Sequence, residues 1–144
     1  MISTRDYVES LIKEYYYLKK EEHDIILQKE VILNQMVNVK GIQYDREPTH
    51  SGTDRGNMLV RLGEDLKEKE IALKAKHIEV TALNMRLHLD ELSREENKIL
   101  EYIYHQKLTL SEISCLMYYA GHTTVLKKRN KILDKIGERM KGEA

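Results

Sequence analysis

The sequence predicts an all-α protein: a long antiparallel, coiled-coil-like helical hairpin followed by a C-terminal three-helix module of helix-turn-helix form. Three observations predict it. Phe and Trp are absent and a single proline, Pro48, interrupts the whole 144-residue chain, so few positions resist helix formation. Apolar residues recur twice at alternating steps of three and four, which is the seam spacing of packed helices. Two hydroxyl-x-x-Glu signatures then follow in succession, each marking a new helix start.

The first seam reads Val8, Leu11, Tyr15, Leu18, Ile25, Ile32, Met36 and Val39, with Glu22 and Lys29 in its two polar gaps. The second reads Leu59, Leu62, Leu66, Leu73, Val80, Leu83 and Leu87, with Lys69 and Lys76 in the gaps. Between them lies a linker, residues 41–57, holding the proline and three of the seven glycines, where the chain is expected to reverse. An antiparallel pairing then sets Met36 against Leu62, Ile32 against Leu66, Ile25 against Leu73, Leu18 against Val80, Tyr15 against Leu83 and Leu11 against Leu87. Polar residues share layers too. Glu22 faces Lys76, and Lys29 faces Lys69, a repulsive layer that Glu30 or Glu70 would screen. Ile12, Ile26, Leu33, Ile71 and Ile78 fall off the seam, so the hairpin is expected to self-associate as a dimer or to dock on a partner.

After Leu92 the heptad rhythm stops. Ser93 with Glu96 opens a helix from about Arg94 to His105, with Ile99, Leu100 and Ile103 inward. Thr109 with Glu112 opens a second from Leu110 to about Tyr118, with Ile113, Leu116 and Met117 inward and small Ser114 at a close crossing. A corner at Tyr118 to Gly121 leads to a third helix starting near His122, whose Val125, Ile132, Leu133 and Ile136 share one face. Gly121 and His122 are both candidates for its N-cap. The organisation is therefore residues 1–92 as hairpin and 93–144 as the compact module.

Charge is uneven although the chain is neutral overall. Residues 93–144 carry ten Lys/Arg against seven Asp/Glu, and the remainder carries 14 against 17. Seven of the cations fall between Gly121 and Lys141, facing only Asp134 and Glu138. A short helix, a corner and a longer basic helix with hydroxyl residues in its first turn suit binding of duplex DNA: the last helix enters the major groove and lysines neutralise phosphates. Thr123, Thr124 and Lys127 are the candidates to reach bases, with His122 beside them at the helix start. Lys128 and Lys131 are the candidates for phosphate, and Thr109 and Ser111 for the DNA backbone. Lys135, Arg139 and Lys141 have a plainer explanation, a solvated face that complements the helix dipole.

The stretch "LSREENKILEYIYHQKLTLSEISCLMYYAGHTTVLKKRNKILDKI" resembles the region-four helix-turn-helix of sigma factors, in the form found in phage late-gene transcription regulators of the ArpU and RinA type. The matching residues are Leu92, Glu95 and Glu96; Leu110, Glu112 and Ile113, with Ser114 in place of the usual alanine, and Met117; then Thr124 and Val125 with Leu133, Lys135 and Ile136. The corner before Val125 is one residue longer than the family's, and Arg129 falls on the core face. The resemblance covers about a third of the chain. It implies a phage or prophage transcription regulator that activates late genes, with RNA polymerase as a further partner. Two rivals are a DNA-packaging subunit like the small terminase and a helical interaction protein that binds no DNA.

Other chemistries find little footing. Six histidines stand without a partner three or four residues away on a helix, so no metal site is expected. No glycine-rich phosphate loop or nucleophile elbow is present, and neither enzyme activity nor a cofactor is expected. The Tyr15-Tyr16-Tyr17 run is read as interhelical packing instead of a stacking surface for single strands. Cys115 is the only cysteine, which suits a reducing compartment, and no apolar run approaches bilayer length. A cytoplasmic protein without membrane contact is the expectation.

Overall fold

The computed structural model describes residues 3–42 and 51–142, and among them the fold is all-α with no strand. Helix α1 spans Thr4–Ile42 and α2 spans Ser51–Leu87. A 3-10 turn at Leu89–Glu91 leads to α3, Arg94–Leu100, which continues as one wider π turn, Glu101–His105. Helices α4, Leu110–Leu116, and α5, His122–Gly142, complete the chain.

The linker expected at residues 41–57 is narrower than its composition suggests. Gly41 lies inside α1, and Ser51 to Asn57, with Gly52 and Gly56, lies inside α2. A glycine in a helix costs only about 1 kcal/mol relative to alanine, whereas proline costs about three times that. Glycine-rich composition therefore overstated the break. The expected reversal around Pro48 lies outside the described residues.

Two compact units divide the molecule: residues up to Lys19 together with those from Glu79 onward, and Lys20–Ile78. The boundary expected at residue 92 is thus not where the units part. The first turns of α1 and the last turns of α2 belong with the C-terminal helices because their apolar residues share one core. Val8, Leu11, Ile12 and Tyr15 of α1 and Val80, Leu83 and Leu87 of α2 are buried with Leu89, Leu92, Ile99, Leu100, Tyr104, Ile132, Leu133 and Ile136. Each such side chain contributes about 1.5–3 kcal/mol by leaving water. Ile12, which lies off the seam, is fully buried, because here the flank of α1 is covered.

Polar contacts fix how α1 enters this unit. Arg5 donates twice to the Asp134 carboxylate, Nε to Oδ1 at 3.0 Å and Nη2 to Oδ2 at 2.8 Å. The Tyr104 hydroxyl donates to Glu9 Oε2 at 2.7 Å, and Arg129 Nη1 stands 3.8 Å from the same oxygen. Gly137 is buried at the crossing of α5 with α1, where an added Cβ would lie 2.9 Å from the Thr4 methyl. Tyr15 packs edge-on against its chain neighbour Tyr16, with ring centroids 5.1 Å apart, and the Tyr16 ring lies 6.0 Å from that of His105 after α3.

In the unit Lys20–Ile78, ion pairs report an antiparallel pairing close to the expected register. Lys76 Nζ lies 2.5 Å from Glu21, next to the expected Glu22, and Glu22 instead faces His77 at 3.5 Å. Lys29 Nζ lies 3.5 Å from Glu70, so the lysine layer is screened by that neighbour. Seam residues Ile32 and Val39 are buried, whereas Ile26, Leu33, Ile71 and Ile78 stand exposed.

Candidate nucleic-acid interface

Both capping boxes form. Ser93 Oγ accepts from the Glu96 N–H at 3.1 Å while Glu96 Oε1 accepts from the Ser93 N–H at 2.9 Å. Thr109 Oγ1 accepts from the Glu112 N–H at 3.2 Å, donates to Glu112 Oε1 at 2.9 Å, and the Thr109 N–H reaches the same oxygen at 3.3 Å. The hydroxyl of Thr109 is therefore engaged at the start of α4. Ser111, one residue inside that helix, is exposed and unpaired among the described residues.

Helix α4 ends in a Schellman-type stop: the Tyr119 N–H donates to the Ser114 carbonyl at 2.9 Å and the Tyr118 N–H to the Cys115 carbonyl at 3.4 Å. That geometry requires a left-handed residue, and Tyr118 fills the place with φ 59, a position that glycine adopts without the steric cost. Ser114, buried at the crossing, donates its hydroxyl back to the Tyr119 carbonyl at 3.2 Å. Leu116, expected inward, is instead exposed. Burial of Ile113 and Ser114 swings the inner face of this two-turn helix toward Ser114, about 100° round, and leaves Leu116 outside.

The N-cap of α5 resolves to Gly121, whose carbonyl accepts from the Thr124 N–H at 3.2 Å. A glycine brings no side-chain acceptor, so the first turn of α5 presents N–H groups without a side-chain cap. His122 and Thr123 are exposed there and Thr124 is half-buried. Val125, Ile132, Leu133 and Ile136 are buried on the opposite face, as their spacing predicts.

The cations of α5 then separate into two groups. Lys128 Nζ lies 3.1 Å from Glu95, Lys135 Nζ 3.2 Å from Glu96 and Arg139 Nε 3.2 Å from Glu91, with Arg129 beside Glu9. Lys127, Lys131 and Lys141 have no ion pair among the described residues and are exposed. At 100° per residue the three unpaired lysines fall within an arc of about 80°, while the paired four begin about 80° from Lys127 and run to about 200°. Asp134 and the exposed Glu138 interrupt the unpaired side, and Arg5 neutralises Asp134.

Lys128, expected to meet phosphate, is thus held inside the protein's own network. Lys135 and Arg139 are not simply solvated either. Sequence reasoning missed Glu95 and Arg5 as shapers of this face; partners 33 and 129 residues apart leave no local signal.

Electrostatics follow the same contacts. The Tyr119 hydroxyl and then Lys128 hold the Glu95 carboxyl below the ordinary carboxylate range, and Arg5 does the same for Asp134. Burial pushes Glu96 upward, but the Ser93 backbone and Lys135 outweigh it and the net shift is down. Burial and then the Glu95 contact push the Tyr119 hydroxyl up to about 12.

Among the described residues no cluster of His, Cys, Asp or Glu is placed to hold a metal ion, and no helix is long and apolar enough to cross a membrane. Cys115 is exposed near the end of α4. Compared with protein-family models, curated proteins and solved structures, the chain matches none.

Proposed function

We propose that the chain binds duplex DNA through the exposed side of α5 and regulates transcription. The observation that carries this reading is the separation of charge on one helix. Inward cations are matched by carboxylates of the same unit, whereas Lys127 and Lys131 have no ion pair among the described residues on the side that also bears Thr123. Unmatched lysines in the first turns after a corner suit phosphate contact, and small hydroxyl residues at the helix start suit base edges. His122 and Ser111 extend the surface; Thr109 serves the cap, and Thr124 is only half open. The resemblance of Leu92 to Ile136 to sigma region four supplies the rest of the reading: a phage or prophage regulator acting in the cytoplasm as an activator of late genes, with RNA polymerase as the further partner.

Self-association belongs to the same reading. From Ile25 to Val39, α1 carries only two charges, Lys29 and Glu30, and exposes Ile26, Leu27, Val31, Leu33 and Val37. A helix apolar on every side is a helix with more than one neighbour, and a second copy supplies a matching surface.

The test is binding of short duplexes by the double variant Lys127→Ala with Lys131→Ala. Affinity at low salt should fall more than tenfold, and the slope of log K against log salt should become shallower by about two, one for each lost phosphate contact. The melting transition should stay unchanged, since neither side chain packs inside. Unaltered affinity and slope would falsify the assignment.

A further inference from the structure

We propose that Glu95 competes with phosphate for Lys128 and so limits how many phosphates the α5 surface neutralises; this rests on the DNA-binding reading above. Glu95 stands at the second position of α3, and its Oε1 accepts both from Lys128 Nζ at 3.1 Å and from the Tyr119 hydroxyl. Lys128 Nζ also lies 4.9 Å from the centroid of the Tyr119 ring. One carboxylate and one ring therefore hold the ammonium that borders the unpaired face.

The pair is placed where exchange is easy. Side-chain exposure is 40% for Lys128 and 49% for Glu95, so solvent screens the attraction and a surface pair of this kind is worth little. A phosphate that arrives beside Lys127 meets this lysine one residue further along the helix. Lys135 offers the contrast: its partner Glu96 is only 22% exposed and also caps α3 through Ser93, so releasing that lysine would undo a helix start. Of the two lysines bound to α3, only Lys128 can be released without that cost. Glu95 has no capping duty, and its like charge opposes phosphate close to the basic side. Its place in the fold suits a residue that lowers general affinity for nucleic acid and leaves the unpaired residues Thr123, Lys127 and Lys131 to set the choice of site.

The experiment compares the full chain with Glu95→Gln, Lys128→Ala and the double variant on a short random-sequence duplex, across about 50 to 200 mM salt. Glutamine keeps an oxygen to accept from Tyr119 and removes only the charge. Glu95→Gln should bind roughly two- to fivefold more tightly, with a salt slope steeper by about one phosphate contact. In the Lys128→Ala background the same change should give less than half of that gain. Glu95→Ala, which also removes the Tyr119 contact, should show the same direction. Unchanged or weaker binding by Glu95→Gln overturns the proposal, as does a full gain that persists without Lys128. The Lys127→Ala, Lys131→Ala variant serves as the separate arm: if it weakens binding while Glu95→Gln does nothing, only the role of Glu95 falls. A wild-type chain that binds no duplex overturns both.

Discussion

The unit Lys20–Ile78 and the unit built from residues up to Lys19 with those from Glu79 onward share α1 and α2 and their seam spacing, but only the latter adds α3, α4 and α5, and the two bury their residues differently. Ile12 and Ile26 both lie off the main seam of α1. Ile12 is fully buried in one cluster with Leu100, Ile132 and Ile136, while Ile26 is exposed in a unit that holds two helical segments among the described residues. Periodicity identifies which residues can be buried together; the supply of neighbours decides which of them are.

The largest test of that contrast is a pair of truncations. Ile12→Ala should cost about 2–5 kcal/mol in chemical denaturation, because it leaves a cavity in a closed core. Ile26→Ala, measured at high dilution, should stay within about 0.5 kcal/mol. Equal losses at both positions would erase the distinction between the units.

A second variant sharpens it. If the open unit is closed by a second copy, Val31→Glu with Val37→Glu should convert a dimer to a monomer in sedimentation and remove any dependence of Tm on protein concentration. A wild-type chain that is already monomeric at high concentration would defeat the self-association reading. A ring of many copies would instead favour a DNA-packaging role.

A smaller effect belongs to the corner. Tyr118 holds a left-handed conformation that costs a tyrosine about 1 kcal/mol relative to glycine, and its side chain is almost wholly in solvent. Tyr118→Gly should therefore raise stability by about that amount, read as an increase in Tm. A decrease would mean that the ring packs more than its exposure indicates.

The smallest effect is the pH dependence of the surface carboxylates. Glu95 and Asp134 have folded-state values below their ordinary ones, so their contribution is complete above the ordinary carboxylate range and is lost as pH falls through the depressed values. Between about pH 5 and pH 2 the wild-type Tm should fall more steeply than that of Glu95→Gln with Asp134→Asn. Parallel curves would show that these pairs contribute nothing measurable.

Local features were legible from the chain alone. Both capping boxes need only residues three apart, and the three-four spacing that puts Val125, Ile132, Leu133 and Ile136 on one side of α5 is a property of the helix itself. Polar gaps in two seams are expected to share layers, and the ion pairs of Lys29, Lys76 and His77 fall within one residue of the register that this expectation sets. Misreadings came where a short segment offered too little pattern. Leu116 sits in a helix of two turns whose inner side was set by Ser114, and the glycines near Pro48 were weighted as breakers when a helix tolerates them.

The candidate surface was legible only in outline. Seven cations crowd the C-terminal helix in the sequence, but which ones remain without partners depends on Glu9, Glu91, Glu95 and Glu96 arriving from other elements. Sequence by itself determined the helical class, the starts of α3, α4 and α5 and the apolar side of α5, since these follow from hydrogen bonds and periodicities that span a few residues. Tertiary structure alone decided that the first turns of α1 join the C-terminal helices, that Arg5 cancels Asp134, and that Lys128 faces Glu95 while Lys127 and Lys131 do not. Charge pairing acts across space at a few ångströms, and chain separation carries no record of it.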